Sequence, residues 1–269
     1  MTPLRAGVLP AARACTTLPI ARMLNRRHWL TSIAGLGALA LTGLPRSAHA
    51  APKKILVVGD SMIAGGFGLF LARDLEQLDG CVVDRRGKSS TGLARPDFHD
   101  WIGEGAKAYA EFKPDAVVCM FGGNDGQGLY MGRKADPEWI RWEEPGWTPE
   151  YRRRVNAFAD AVTPKGEHLI WIGMPQMRLD KLHERVKHMN QIYRAEMAIR
   201  PKALFVDIWR VLADDQGKYA DKIAIGDKKI RVRTGDGVHL TTEGCHHLVS
   251  HVRPEVAHEL GLATPGLPA

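Results

Sequence analysis

The chain has 269 residues, 45% of them hydrophobic and 25% charged, with a formal net charge of +7. That composition excludes a disordered chain, and the length suffices for one α/β domain with a full core. The positive balance does not mark a nucleic-acid surface. Residues 1–50 hold Arg5, Arg13, Arg22, Arg26, Arg27 and Arg46 and no acid. Without these six of the 37 basic residues, 31 remain against 30 acidic ones, with no basic stripe carrying interleaved aromatics.

Taken in chain order, residues 1–50 read as an export signal. Arg26-Arg27 precedes His28-Trp29-Leu30, an apolar run follows from Ile33 to Leu44, and Ser47-Ala48-His49-Ala50 offers small residues for cleavage before Ala51. The Arg pair resembles a twin-arginine signal, which makes the twin-arginine machinery the expected export partner. The run is shorter than the roughly 20 residues of a membrane span, so no stable insertion is expected after cleavage. Met23 is the expected start in preference to Met1, since residues 1–22 add nothing that such a signal needs. The expected location is the periplasm or the medium. Cys81, Cys119 and Cys245 would remain in the mature chain, an odd number with no metal-type spacing and no disulfide framework.

Strand-length apolar runs then recur at 54–58, 81–83, 115–120, 168–172 and 204–208. Helical patterns lie between them at about 66–78, 101–112, 149–162 and 183–199, with a further one from 241 to 252. Thr148-Pro149-Glu150 reads as a helix start, the hydroxyl capping and Pro at the first helical position. Strands this apolar, each flanked by helices, predict a five-stranded parallel sheet covered on both faces, within one domain over residues 51–269. Sites in such sheets form beyond the carboxyl ends of the strands. Asp60-Ser61, the 84–92 loop, Asn124-Asp125 and the loop from Met174 to Arg178 all fall there.

Gly59-Asp60-Ser61 follows the first strand, where a Ser hydroxyl can face the cleft. By itself it also fits a helix cap. Asp236-Gly237-Val238-His239 lies before the last helical pattern. A weakly nucleophilic Ser needs a base, usually a neutral His, and that His needs an acceptor on its other nitrogen. Gly122-Gly123-Asn124-Asp125 ends the third strand, where the Asn amide can meet a developing oxyanion or simply serve a turn.

Together these three blocks, in this order and strand context, resemble the SGNH hydrolase superfamily (GDSL esterases and lipases) over about residues 53–255. The resemblance implies a flavodoxin-like, three-layer α/β/α sandwich and acyl-ester hydrolysis without a cofactor or metal. It implies Ser61 as nucleophile, His239 as base and Asp236 as its orienting acid. The oxyanion donors would be the Ser61 N–H, the Asn124 side chain and a third N–H from the second block. That block departs from the family pattern: Ser89 stands where the family has Gly, if Thr91 is matched to the family's Thr. Gly87, Ser90 and Gly92 are the alternatives, since any residue but Pro can offer its N–H. The Ser-Ser-Thr-Gly-Leu run resembles a bacterial branch of the superfamily.

Residues 126–150 form a long connection rich in aromatic and basic side chains: Tyr130, Trp139, Trp142, Trp147, Arg133, Lys134 and Arg141. Trp142 and Trp147 could stack on sugar rings, or pin the loop to the domain. Asp60, Asp125 and Arg178 are further substrate-side candidates, Arg178 with the alternative of an ion pair at the rim. His246, His247 and His251 lack a completing carboxylate or Cys and are read as helix packing. Residues 181–187 read as a solvated helix face. The expected substrate is an acylated, O-acetyl or other short-chain, envelope or extracellular glycan. Acyl transfer through the same residues is the alternative; a lipase or a non-catalytic glycan binder fits less well.

Overall fold

The structure, a computed structural model, describes residues 51–263 apart from Asp79. The expected export segment lies outside the described residues. In chain order the elements are β1 (Lys53–Gly59), α1 (Ser61–Ala64), α2 (Gly66–Glu76), β2 (Cys81–Gly87), α3 (Trp101–Phe112), β3 (Ala116–Met120), β4 (Leu129–Tyr130), β5 (Trp139–Ile140), α4 (Trp147–Val162), β6 (His168–Ile172), α5 (Asp180–Ala198), β7 (Ala203–Val206), β8 (Lys222–Ile225), β9 (Lys228–Arg231) and α6 (Thr242–Glu259).

Five strands form one sheet in the order β2-β1-β3-β6-β7, every neighbouring pair parallel. This is the flavodoxin-like order, whose switch point lies between β1 and β3. α2 packs with α6, and α3 with α4, giving helical layers over the sheet. Ile55, Leu56, Val57 and Val58 of β1, and Ala116 to Met120 of β3, are fully buried. Strands covered on both faces need such unbroken apolar runs. Gly59 closes β1 because a Cβ there would stand 2.3 Å from the Met120 carbonyl oxygen.

Several boundaries differ from the sequence reading. β2 continues four residues past Val83, through Asp84-Arg85-Arg86 to Gly87. As an edge strand it keeps one side open, so Arg86 can pair with Asp84 and Glu111. Arg85 meanwhile donates to the Ile63 and Ala64 carbonyls at 2.8 and 3.0 Å. α4 begins at Trp147, with Gly146 and not Thr148 at its cap. The Thr148 hydroxyl instead lies 2.9 Å from His188 Nε2. α5 begins three residues early, at Asp180. Residues 126–150 hold a short hairpin, β4 with β5, and β8 with β9 form another. Among the described residues, no helix is long and apolar enough to cross a membrane.

Candidate active site

The turn after β1 is built by Asp60, not by Ser61. The Asp60 carboxylate caps α1 by accepting from the Met62 N–H at 2.9 Å and accepts from the Gly123 N–H at 3.3 Å. Ser61 becomes the first residue of α1 and keeps its hydroxyl partly exposed. Asp60 therefore ties the serine turn to the turn after β3. It is fully buried, which corrects its assignment as a substrate contact.

That burial has a thermodynamic consequence. Desolvation, with the nearby Asp125 adding to it, pushes the Asp60 carboxyl up to about 7, against the two N–H bonds and His239. The folded chain then holds a proton on Asp60 that an unfolded Asp releases near pH 4, so its contribution to stability falls as pH rises from about 4 through 7. The full span corresponds to roughly 4 kcal/mol. Urea unfolding of wild type and Asp60→Asn at pH 5 and pH 7.5 checks this. The wild type should lose more stability at the higher pH than the variant; equal slopes would refute the assignment.

His239 comes from the loop between β9 and α6. Its Nε2 lies 2.8 Å from Ser61 Oγ and its Nδ1 lies 2.6 Å from Asp236 Oδ2. The other Asp236 oxygen accepts from the Thr234 hydroxyl and from the Val238 and His239 N–H groups, at 2.8, 2.8 and 3.0 Å. Partial burial opposes the charge, but the bonds from His239, Val238 and Thr234 outweigh it and hold the carboxyl well below its usual range. With Nδ1 against a carboxylate, Nε2 is the free acceptor for the Ser61 hydroxyl proton. Segments 178 residues apart thus meet across the mouth of the sheet.

The loop keeps its shape through Gly237 and two arginines. Gly237 sits at φ +73°, and a Cβ there would also strike the Arg178 side chain at 2.4 Å. Arg178 donates to the Gly235 carbonyl and to Asp221, both at 2.6 Å. It takes the rim ion pair foreseen as its alternative, leaving its guanidinium committed to the loop. Arg233 is fully buried and was not singled out from the sequence. It donates to the Val238 carbonyl at 2.9 Å and to the Gln176 carbonyl at 2.7 Å, with its guanidinium 5.4 Å from the Tyr219 ring centre. Burial pushes its pKa down to about 10, which leaves it charged at neutral pH.

Arg233→Met keeps most of the volume and strands two carbonyls. The expected cost is about 2–3 kcal/mol of stability. A turnover loss of about 10²-fold follows from a displaced His239. Thermal unfolding together with kcat measures both. Wild-type values for both would show that the loop holds itself.

After β3, the Asn124 amide donates to the Thr91 carbonyl at 2.9 Å, which leaves its second N–H available. Thr91 turns its hydroxyl inward, donating to the Lys88 carbonyl and accepting from the Trp101 indole. Ser89 and Ser90 are exposed, Ser90 with φ 62°, while Gly92 is buried with no room for a Cβ beside Asp125. No backbone–backbone hydrogen bond from the N–H of Ser61 or of residues 89–92 is found among the described residues, and of these residues Ser89 and Ser90 are exposed.

Asp125 is fully buried, a second correction to the substrate-side assignments. It accepts from the Ala94 N–H at 2.9 Å and lies 2.7 Å from the Tyr151 hydroxyl. Tyr151 lies 2.6 Å from Tyr193, whose hydroxyl reaches the Phe121 carbonyl. The Tyr151 hydroxyl donates to Asp125, and burial pushes the Asp125 carboxyl up against that bond, the Ala94 N–H and the charge of Arg154. Trp147 is buried too, stacked on Tyr151 with its indole N–H on the Gln127 carbonyl at 2.6 Å. It pins the loop to the domain, the alternative expected for it. Arg154, buried and not foreseen, donates to the Leu93, Ala94 and Tyr130 carbonyls. Trp142 is partly exposed and packs against the core. His246 stacks on Phe70, and His247 lies 3.1 Å from the Val211 carbonyl.

The sheet order and the placement of the three motif blocks at strand ends are those the sequence resemblance implies. Residues 54–255 match the family model described as "Protein of unknown function (DUF459)", and the chain belongs to that family. No curated protein matches in sequence. Among solved structures, a lipolytic protein of the G-D-S-L family from Veillonella parvula superposes with a TM-score of 0.51 at 16% identity, covering 75% of this chain and 97% of that one. An aryl esterase from M. smegmatis gives 0.51 at 14% identity, covering 77% and 99%. A mutant acetyl-xylooligosaccharide esterase from Geobacillus stearothermophilus gives 0.50 at 17% identity, covering 79% and 96%. At these identities the likeness is one of fold.

Proposed function

We propose that this protein is a serine esterase that removes short acyl groups, O-acetyl foremost, from an envelope or extracellular carbohydrate, after twin-arginine export to the periplasm or medium. The observation that carries the activity is the contact of Ser61 Oγ with His239 Nε2 at 2.8 Å, continued by Asp236 at 2.6 Å. A hydroxyl is a poor nucleophile until a base takes its proton, and this geometry supplies the base and orients it.

In the proposed reaction Ser61 Oγ attacks the ester carbonyl while His239 Nε2 takes its proton. The carbonyl oxygen becomes an oxyanion facing the Ser61 N–H, the second N–H of Asn124 and one N–H from residues 89–92. Collapse breaks the ester C–O bond, and His239 returns the proton to the departing alcohol. A water then attacks the acyl-serine carbonyl and gives a proton to His239; collapse breaks the bond between the acyl carbon and Ser61 Oγ, Oγ takes the proton back from His239, and the carboxylic acid leaves. Asp236 stays ionised throughout and stabilises the imidazolium.

The clefts of 220, 430, 450 and 460 Å³ found among the described residues are all lined with charged side chains, which suits a polar substrate better than a long alkyl chain. The fold likeness to an aryl esterase and an acetyl-xylooligosaccharide esterase, and the signal-like residues 1–50, support the remaining terms. A panel of p-nitrophenyl esters from acetate to palmitate tests the reading. Hydrolysis falling steeply beyond butyrate is expected, and a maximum at palmitate would contradict it. Adding a glycan acceptor to the acetate reaction separates hydrolysis from acyl transfer.

A further inference from the structure

A cleft of about 450 Å³ lies between the segment leading into α4 and the first turns of α5. We propose that it is a subsite for an unmodified sugar unit of a neutral oligosaccharide whose acylated unit sits at Ser61. The inference rests on the esterase reading and adds what holds the alcohol side of the ester.

Three observations carry it. The first is linkage to the catalytic face. The buried Trp147 forms part of the cleft wall and donates to the Gln127 carbonyl at 2.6 Å, while the Gln127 amide donates to the Asn124 carbonyl at 2.5 Å. Arg185, also in the wall, donates to the Gly126 carbonyl and packs on Gly126. The cleft thus hangs from the same four residues, 124–127, that carry the oxyanion amide.

The second is the character of the lining. Trp142 is a partly exposed ring among polar neighbours, tilted against Trp147 at 4.0 Å and capped by Arg185 at 4.9 Å. His188, held by Thr148 at 2.9 Å, completes the side wall. An aromatic edge beside hydrogen-bonding groups suits a pyranose, with C–H bonds on one side and hydroxyls on the other. The third is charge. Arg185 is paired with Glu143 at 3.1 Å and Glu184 with Lys187 at 3.9 Å, so the rim offers the Lys181 ammonium as a donor and a Glu184 oxygen as an acceptor. Such a rim takes hydroxyl groups from either side and gives no net attraction to an acidic chain. The same charges make the cleft a poor seat for an acyl tail.

The test is calorimetric binding of xylotetraose, a neutral unacetylated probe, to the full-length Ser61→Ala chain. Binding is expected. Adding Trp142→Ala should weaken it about tenfold, equivalent to roughly 1.4 kcal/mol. Lys181 is exposed on the first turn of α5, and Lys181→Ala, which leaves the core untouched, should weaken it about threefold, equivalent to roughly 0.65 kcal/mol. In the Ser61-containing chain, each substitution should lower kcat/KM for acetylated xylotetraose more than for p-nitrophenyl acetate. Absence of xylotetraose binding, affinity unaltered by both substitutions, or tighter binding of tetragalacturonic acid would overturn the subsite. Failure of the esterase reading shows elsewhere, as turnover that survives Ser61→Ala.

Discussion

Replacing Ser61 by Ala should lower kcat on p-nitrophenyl acetate by at least about 10⁴-fold while leaving the fold intact. Residues that act as one nucleophilic unit lose nearly everything when the nucleophile is removed, and what survives comes from oxyanion binding and positioning. Among the described residues, Ser61 Oγ makes a single side-chain bond, to His239 Nε2, and the turn itself is held by Asp60 through Met62 and Gly123. Nothing structural depends on the hydroxyl, so thermal unfolding should move by little. Loss of turnover with an unchanged melting curve is the expected pair of results. Undiminished hydrolysis would place the chemistry at another residue.

The second large effect is expected from Asp236→Asn. One Asp236 oxygen accepts three hydrogen bonds, and the other faces His239 Nδ1 at 2.6 Å. An Asn with its carbonyl in the three-bond position turns an NH₂ toward Nδ1. The imidazole then places its proton on Nε2, the nitrogen that must accept from Ser61. In the best-studied serine enzyme the equivalent change costs about 10⁴ in kcat with geometry preserved. A loss of 10³–10⁴-fold, partly recovered as pH rises, is the outcome foreseen here from the tautomer alone. Because the carboxylate is held far below its usual range, acid loss of activity in the wild type should not come from Asp236. A loss of less than tenfold would mean that Asp236 only shapes the loop.

Much of this arrangement can be read in the sequence because it follows from local rules. The unbroken apolar runs of β1, β3 and β6 have no other home than a sheet covered on both faces. Strand-end turns then bring Ser61 and Asn124 to one edge. The Asp-x-x-His spacing lets Asp236 reach its own His239 within one turn. Less local features escaped. The charged end of β2 looked like loop, because an edge strand can pair its Asp84 and Arg86 sideways. Asp60 and Asp125 looked like substrate contacts because acids are usually solvated. Here each accepts main-chain N–H bonds from a distant turn, Gly123 for Asp60 and Ala94 for Asp125. Arg154 and Arg233 gave no signal at all. Each bonds to carbonyls that come together only after folding, and a carbonyl carries no side-chain identity. Trp147 was a matter of two residues: with Gly146 and not Thr148 capping α4, its ring points inward and Trp142 is left partly exposed.

The site can be tested without knowing the substrate. A fluorophosphonate reagent phosphonylates a serine only when a neighbouring base has activated it, and the modified peptide can be located by mass spectrometry. The wild-type chain should gain one adduct, on the peptide holding Gly59-Asp60-Ser61-Met62, and the Ser61→Ala and His239→Ala chains should gain none. An unlabelled wild type, or an adduct that persists when His239 is gone, would mean that the imidazole beside this hydroxyl does not activate it.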